Sequence, residues 1–441
     1  MASFAKNALI TFLTRVATAI STIVITVIMA RTLGPNGQGI YSVAVLFPSL
    51  LLIFLSFGMN SAVVYFLGKD QYPRKQVLGT SIIFNLLISI LAVLAGLFVI
   101  FFLGDKFFPN IERIYLILSL FLVPLLLFFN LGCQFLLGIQ KFEKYNIISF
   151  SQSGLFLIFG AIFLSIMRFG VTVTILSQIL SYIIAIIILI FIVINETKGI
   201  DFKINFSYLK SSLIYGLKTH LAGIFDFLHS RIDLFLINFF INPFSAGIYF
   251  AAVRLAEGVW LFSISTGTIL LPKVASEKDP QKLKDFTPLV CRNILALSLI
   301  LIVILFVIAG WLMNFLYSET FLGAVEPFRI LLIGILAITG WHILASDLAA
   351  RGKPMLNTYA IGISVVINII LNIIFIPKWG ISGAALATTI SYTVMFFITL
   401  GIYAKVSGNK IKDILFIKKG DLSFYKEALS SFRKNRLNDP R

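Results

Sequence analysis

Apolar runs of roughly 20 residues recur along the whole chain, and each is long enough to cross a hydrocarbon core of ~30 Å. Twelve can be marked out: 8–30, 38–66, 77–103, 112–138, 147–167, 171–195, 211–240, 244–271, 289–316, 325–349, 355–376 and 381–404. Inside a bilayer the backbone must satisfy its own hydrogen bonds, and an apolar run of this length does so as a helix. The composition agrees, with 59% hydrophobic and 12% charged residues, against about a quarter charged in soluble domains. The expected fold is therefore an all-α polytopic membrane protein with twelve transmembrane helices. The first span contains Arg15 and lacks a small-residue cleavage site, so it reads as retained and not as a signal peptide. Cys133 and Cys291 fall within spans, with neither metal-ligand spacing nor an evident disulfide role.

The net charge of +17 would fit a nucleic-acid binder, but its distribution opposes that reading. Of the 36 Lys and Arg, 25 fall on the side of the termini and 5 on the opposite side. This is the positive-inside bias, which places both termini in the cytoplasm and the protein in the cell membrane. The excess charge then serves orientation and attraction to anionic lipid, with no call for nucleic acid. In the basic tail, "DLSFYKEALSSFRKNRL" reads either as a surface-lying amphipathic helix or as a frayed end.

Self-comparison divides the chain. "LGPNGQGIYSVA" at 33–44 aligns with "INPFSAGIYFAA" at 241–252, an offset of 208 that pairs Gly39-Ile40-Tyr41 with Gly247-Ile248-Tyr249. "RFGV" at 168–171 matches "KWGI" at 378–381, and Ser181-Tyr182 matches Ser391-Tyr392, both at offset 210. A nearly constant offset over this distance marks an internal repeat. Each copy holds six spans, an even number, so both enter the membrane in the same direction as a parallel repeat. The expected organisation is a six-helix lobe at 1–195, a cytoplasmic linker at 196–210, a second six-helix lobe at 211–404 and a basic tail at 405–441. The two lobes would surround a central cavity.

The glycine-rich stretch "ARTLGPNGQGIYSVA" at 30–44 poses a choice between a phosphate-cradling loop and a plain turn. Its second copy keeps Pro, Gly and Tyr but not the other glycines, and a phosphate loop would need a preceding strand and a Lys-Ser/Thr ending. It reads as a turn made by Pro35 and Gly37, with Gly39 allowing the next helix to pack closely. No H-E-x-x-H, Cys-x-x-Cys, Walker or nucleophile-elbow motif is present, and His220, His229 and His342 are scattered. The loops are too short for a nucleotide-binding domain or a large external acceptor site. The chain reads as a non-enzyme without a cofactor.

Beyond the first two residues of each span, ten charged residues lie inside them: Arg15, Lys218, Asp226, Arg231, Asp233, Arg254, Glu257, Arg292, Arg329 and Asp347. Each Arg, Lys or Asp at a helix centre costs about 2.5–3.5 kcal/mol to insert, so such residues call for partners or water. At 100° per residue, Thr11, Arg15, Thr18, Thr22 and Thr26 share a face of span 1, and Gln38, Ser42, Ser49, Ser56 and Asn60 a face of span 2. In span 7, Lys218, Asp226, His229 and Asp233 share one face, and His220, Arg231 and Asn238 nearly the opposite one. Span 8 aligns Arg254, Glu257, Ser265 and Thr268, and span 11 carries Asn357, Ser364, Asn368 and Asn372. Small polar stripes serve equally as helix-packing seams or as cavity walls. Arg254 and Glu257, three apart, can neutralise each other, and Lys218 can snorkel to the interface.

The R-x-L-G-P-x-x-x-G-x-Y stretch after the first span, together with "SRIDLFLINFFINPFSAGIYFAAVRLAEG" in the second half, resembles the polysaccharide-biosynthesis (Wzx-type, O-antigen) flippases of the multidrug/oligosaccharidyl-lipid/polysaccharide (MOP) exporter superfamily. The resemblance implies a largely cationic cavity formed by spans 1, 2, 7 and 8. It also implies alternating access that carries an undecaprenyl-diphosphate-linked oligosaccharide from the cytoplasmic to the outer leaflet. Arg15, Arg231, Arg254 and Lys218 are then the candidates for diphosphate or acidic-sugar contacts, since guanidinium forks pair with phosphate oxygens. Thr18, Thr22, Ser49, Ser56, Asn60 and Asn368 are candidates for sugar hydroxyls. Asp226, His229, Asp233 and Glu257 are candidates for ion coupling. Expected partners are the lipid-linked oligosaccharide, membrane lipids and polysaccharide polymerase or assembly proteins. The competing readings are a cation-coupled multidrug exporter of the same superfamily and a non-transport scaffold of an assembly complex.

Overall fold

A computed structural model describes residues 2–166, 170–277, 279–418 and 421. Among them the chain is helical: α1 (Ala2–Leu55), α2 (Met59–Gly68), α3 (Arg74–Phe98), α4 (Gly104–Phe107), α5 (Arg113–Leu120), α6 (Leu122–Gly138), α7 (Phe142–Ile166), α8 (Gly170–Thr197), α9 (Phe206–Phe240), α10 (Pro243–Ser276), α11 (Pro280–Tyr317), α12 (Val325–Ala350), α13 (Pro354–Ser407) and α14 (Ile411–Leu415). A π-helical stretch, Val99–Leu103, joins α3 to α4, and a 3₁₀ stretch, Glu319–Ala324, precedes α12. Eight helical stretches have the length and apolar character to cross a membrane. Two of them, at α1 and α13, each hold two helices joined at one glycine, Gly34 (φ 66°) and Gly380 (φ 59°). With those divided and with α9 and α10 added, the count reaches the twelve spans expected. Side chains such as Phe102, Phe191 and Ile166 are more than 70% exposed, which suits a surface solvated by lipid rather than water.

Two expectations are corrected. The turn after the first span is made at Gly34 alone, in the left-handed region, while Pro35 opens the next helix and Gly37 lies inside it. Pro fits there because the first helical turn leaves its N–H without a partner in any case. The second span is not one continuous helix over 38–66. It stops at Leu55 and restarts at Met59, with Phe57 (φ 48°) and Gly58 (φ 68°) both left-handed. Gly216 of α9 explains the break. A Cβ built on Gly58 would lie 2.2 Å from the Gly216 carbonyl oxygen, and one built on Gly216 would lie 2.4 Å from the Phe57 oxygen. Backbone meets backbone there, and only glycine at both positions leaves the room.

The described chain packs as two compact units. The first is Met1–Gly258, Ala309–Leu331 and Val365–Thr388; the second is Val259–Ile308, Leu332–Ser364 and Thr389–Arg441. The segment expected to be a linker, 196–210, lies wholly within the first unit and is bound to it. Asn205 donates from its backbone to Thr80 Oγ1 (3.0 Å) and from its side chain to Gln76 Oε1 (2.9 Å), while its own Oδ1 caps α9 by accepting from Tyr208 N (2.9 Å). Tyr208 is fully buried, edge-on to Phe66 and Tyr72, and shares a hydrogen bond with Ser81.

The second unit holds its own polar contacts. Asp347, fully buried, accepts from Thr287 Oγ1 (2.5 Å) and pairs with Arg351. Arg292 forms a two-pronged ion pair with Asp421 and donates to the Asp413 carbonyl (3.0 Å), clasping the chain beyond α13 against α11. That guanidinium holds the Asp421 carboxyl below the usual carboxylate range. The rest of the "DLSFYKEALSSFRKNRL" segment, from residue 422, lies outside the described residues. Cys133 and Cys291 are buried free thiols.

Candidate functional site

The site lies within the first unit and begins with the paired glycine turns. Gly39 and Gly247, equivalent in the repeat, dock on each other reciprocally. A Cβ on Gly39 would stand 1.7 Å from the Pro243 carbonyl oxygen, and a Cβ on Gly247 1.9 Å from that of Pro35. The stretch that resembled a phosphate loop is a close backbone crossing. Arg31, just before it, donates Nε to the Leu316 carbonyl (2.8 Å) and Nη2 to that of Phe315, closing off carbonyls at the end of α11.

Beyond this crossing is a polar cavity with room for water over about 240 Å³. One wall is neutral, with Thr22, Tyr41 and Ser49 from α1, Gln152 from α7, and Gln178 and Tyr182 from α8. Tyr41 donates to Gln178 Oε1 (2.9 Å) and stacks on Phe156. The other wall carries Arg231 of α9 and Arg254 of α10. Glu257, one turn beyond Arg254, accepts from both, with Oε1 2.6 Å from Arg231 Nη1 and Oε2 3.0 Å from Arg254 Nη1. Arg254 also lies over the Phe250 ring, 4.8 Å from its centroid. Two guanidiniums share one carboxylate, so the triad carries one net positive charge.

Six of the residues singled out from sequence thus line this cavity: Thr22, Thr26, Ser42, Ser49, Arg231 and Arg254. The threonines of α1 are partly committed to their own helix, since Thr22 donates to the Thr18 carbonyl and Thr26 to that of Thr22. Their oxygens keep lone pairs for an incoming donor. Arg15 and Lys218 are exposed side chains away from the cavity wall. Ser56 sits in the break before α2 and Asn60 on α2, so the five-residue stripe of span 2 does not form one continuous face.

The opposite face of α9 leads elsewhere. Asp233 accepts from Tyr249 Oη (2.5 Å), Leu234 N (2.8 Å) and Thr388 Oγ1 (3.3 Å). Thr388 in turn receives Asn368 Nδ2 (3.4 Å), and Asn368 receives Asn372 Nδ2 (3.0 Å). Asp233, Asn368 and Asn372 are buried and are not among the residues lining the cavity, so this is a buried polar network of its own. His229 is buried on the same helix, and Asp226 is exposed. Among the described residues no cluster of His, Cys, Asp and Glu could hold a metal ion.

Sequence reasoning missed Gln152, Gln178 and Tyr182. The polar faces legible in the sequence run along spans 1, 2, 7, 8 and 11 and take in Gln38, whereas Gln152 and Gln178 belong to spans 5 and 6, which carry no charge. A Gln within an apolar span was the available signal, because its amide needs partners there as a charge does.

The architecture and its polar chamber define an all-helical, multi-pass membrane protein. Over residues 28–326 the chain matches the polysaccharide biosynthesis protein family, and it belongs to that family. It is similar to the lipid II flippase MurJ in an inward closed conformation, with TM-score 0.77, 18% identity, and 93% of this chain and 89% of that one covered. It is also similar to an inward-facing multidrug resistance MATE family transporter of the MOP superfamily, with TM-score 0.67, 14% identity, and 90% and 94% covered. These likenesses give the fold, the two-lobe, twelve-helix arrangement of MOP transporters. In sequence it is 28% identical over 196 residues to Agl15 of Haloferax volcanii, named a probable low-salt glycan biosynthesis flippase, covering 44% of this chain and 41% of that protein. The chain spans less than half the length of this relative, and also of MJ1375, an uncharacterised membrane protein of Methanocaldococcus jannaschii that it matches.

Proposed function

We propose that the protein is a flippase that moves a polyprenyl-diphosphate-linked oligosaccharide, with undecaprenyl as the carrier, from the cytoplasmic to the outer leaflet by alternating access during surface polysaccharide synthesis. It would do so in the cell membrane, with both termini cytoplasmic. The observation that carries this reading is the pair Arg231 and Arg254 on the cavity wall, which share the single carboxylate of Glu257 and so keep one positive charge in excess where an anionic headgroup would sit. The facing wall of Gln152, Gln178, Tyr41, Tyr182 and Ser49 offers the amides and hydroxyls that suit sugars. The lipid tail stays in the bilayer. The family membership and the Agl15 likeness support the same substrate class.

The fold likeness to MATE transporters supports the rival reading, a cation-coupled drug exporter. Such a transporter needs acidic groups facing its cationic substrate, and among the described residues that line this cavity there is no carboxylate. Energetics do not force ion coupling. Two negative charges leaving a negative interior gain about 4–5 kcal/mol from 100 mV, at ~2.3 kcal/mol per charge. Where an ion is coupled, the Asp233 network, with Asp226 and His229 on the same helix, is the place for it.

Replacing Arg231 or Arg254 with Ala is expected to reduce surface glycan at least ten-fold at equal protein level. Undiminished glycan in both variants would overturn the assignment. Asp233→Asn is expected to remove any dependence of transport on a proton or sodium gradient while leaving the response to membrane potential. A gradient dependence that survives this change places coupling elsewhere.

A further inference from the structure

Glu257 occupies an unusual position in this triad. It is absent from the cavity wall, yet it spends one oxygen on each of the two guanidiniums that form that wall. Each contact is a single prong, although a guanidinium can offer a carboxylate or phosphate two parallel N–H donors. The arrangement also leaves Arg254 Nε buried with no acceptor. The carboxylate therefore holds both cations with one oxygen each and leaves a donor of Arg254 unmet. A phosphoryl group, with more oxygens and a higher charge, can engage both forks more fully.

Resting on the flippase reading above, we infer that Glu257 is a place-holder anion. It keeps Arg231 and Arg254 together and half-neutralised when the cavity is empty, gives way to the diphosphate on binding, and returns to the guanidiniums to help expel the diphosphate on release. A carrier must bind its cargo firmly enough to select it and loosely enough to let it go. An internal competing carboxylate sets that balance by opposing every bound state. Glu257 is thus a positioning residue, acting through the two arginines.

The test uses the full-length protein in detergent micelles with inorganic diphosphate as probe. Glu257→Gln keeps the shape and removes the competing charge. Diphosphate is expected to bind this variant at least ten-fold more tightly than wild type and to raise its thermal midpoint further, while surface glycan in cells falls because release slows. Equal or weaker binding by a cooperatively melting Glu257→Gln protein would overturn the inference. Should that variant not fold, Glu257→Asp, too short to reach both guanidiniums, is expected to bind with affinity above wild type, and unchanged affinity sinks the proposal. The Arg231→Ala and Arg254→Ala variants separate the two claims. If they bind diphosphate like wild type, the anion site itself fails. If they lose binding but the Glu257 variants do not tighten it, only the place-holder role fails.

Discussion

Tyr41 and Tyr249 occupy the same place in the two copies of the repeat, yet they do different work. Tyr41 donates to the neutral Gln178 and lines the cavity. Tyr249 donates to the carboxylate of Asp233, away from it. At the offset of 210, Gln178 corresponds to Thr388, which also donates to Asp233. At the offset of 208, Asp233 itself corresponds to Ile25, a buried apolar residue. The second copy therefore repeats the tyrosine and its neighbour but places an acid between them. The two copies share the tyrosine but differ at its partners, with Asp233 and Thr388 standing where the first copy has Ile25 and Gln178.

This comparison can be broken most sharply at the part the copies share. Gly39→Ala and Gly247→Ala each put a Cβ within 2 Å of a carbonyl oxygen. Each is expected to destabilise the protein at or beyond the upper end of the about 1–3 kcal/mol of ordinary overpacking, read as a lowered thermal midpoint in detergent. Gly310→Ala, which meets nothing within 4 Å, is the control and should not lower it. Equal tolerance of all three would mean that the crossing is not close-packed.

A smaller effect separates the copies. Losing a hydrogen bond to a charged group costs about 1.5–3 kcal/mol and to a neutral one about 0.5–1.5, so Tyr249→Phe should lower the midpoint more than Tyr41→Phe. The reverse order would mean that Asp233 is not the acceptor that matters. The smallest change tests symmetry again. Gly170 (φ 65°) and Gly380 (φ 59°), 210 residues apart, are both left-handed, and among the described residues a Cβ added at either would meet nothing closer than 4.0 Å. Alanine at either should cost the same, about 1 kcal/mol of backbone strain, and a clear inequality in melting would show that the two turns are not equivalent.

Much of this was legible because bilayer physics acts on local stretches. The spans, the repeat, the close approach at Gly39 and the interior position of Arg231 and Arg254 followed from apolar length, a constant offset and the cost of a charge in lipid. Placing Arg231 and Asp233 on different faces of one helix needed only 100° per residue, and the structure sends one to the cavity and the other to the buried network. Arg15 was harder: a cation on a polar helical face looks the same whether the face meets a chamber or the surface. The contact of Asn205 with α3 was hidden inside a segment that read as a loose connection, since nothing in a polar stretch names what it will bind.

The sequence by itself determined a twelve-span helical membrane protein with a duplicated plan and ionisable groups in its interior, because hydrophobic length and helical period are properties of neighbouring residues. Only the tertiary structure decided that span 2 breaks at Phe57 and Gly58, that Glu257 joins Arg231 to Arg254, and that Asp233 meets Thr388. Each of these depends on partners from other helices, as when the Gly58 and Gly216 backbones touch across 158 positions. No local pattern encodes such a meeting, because its energy exists only once both helices are packed.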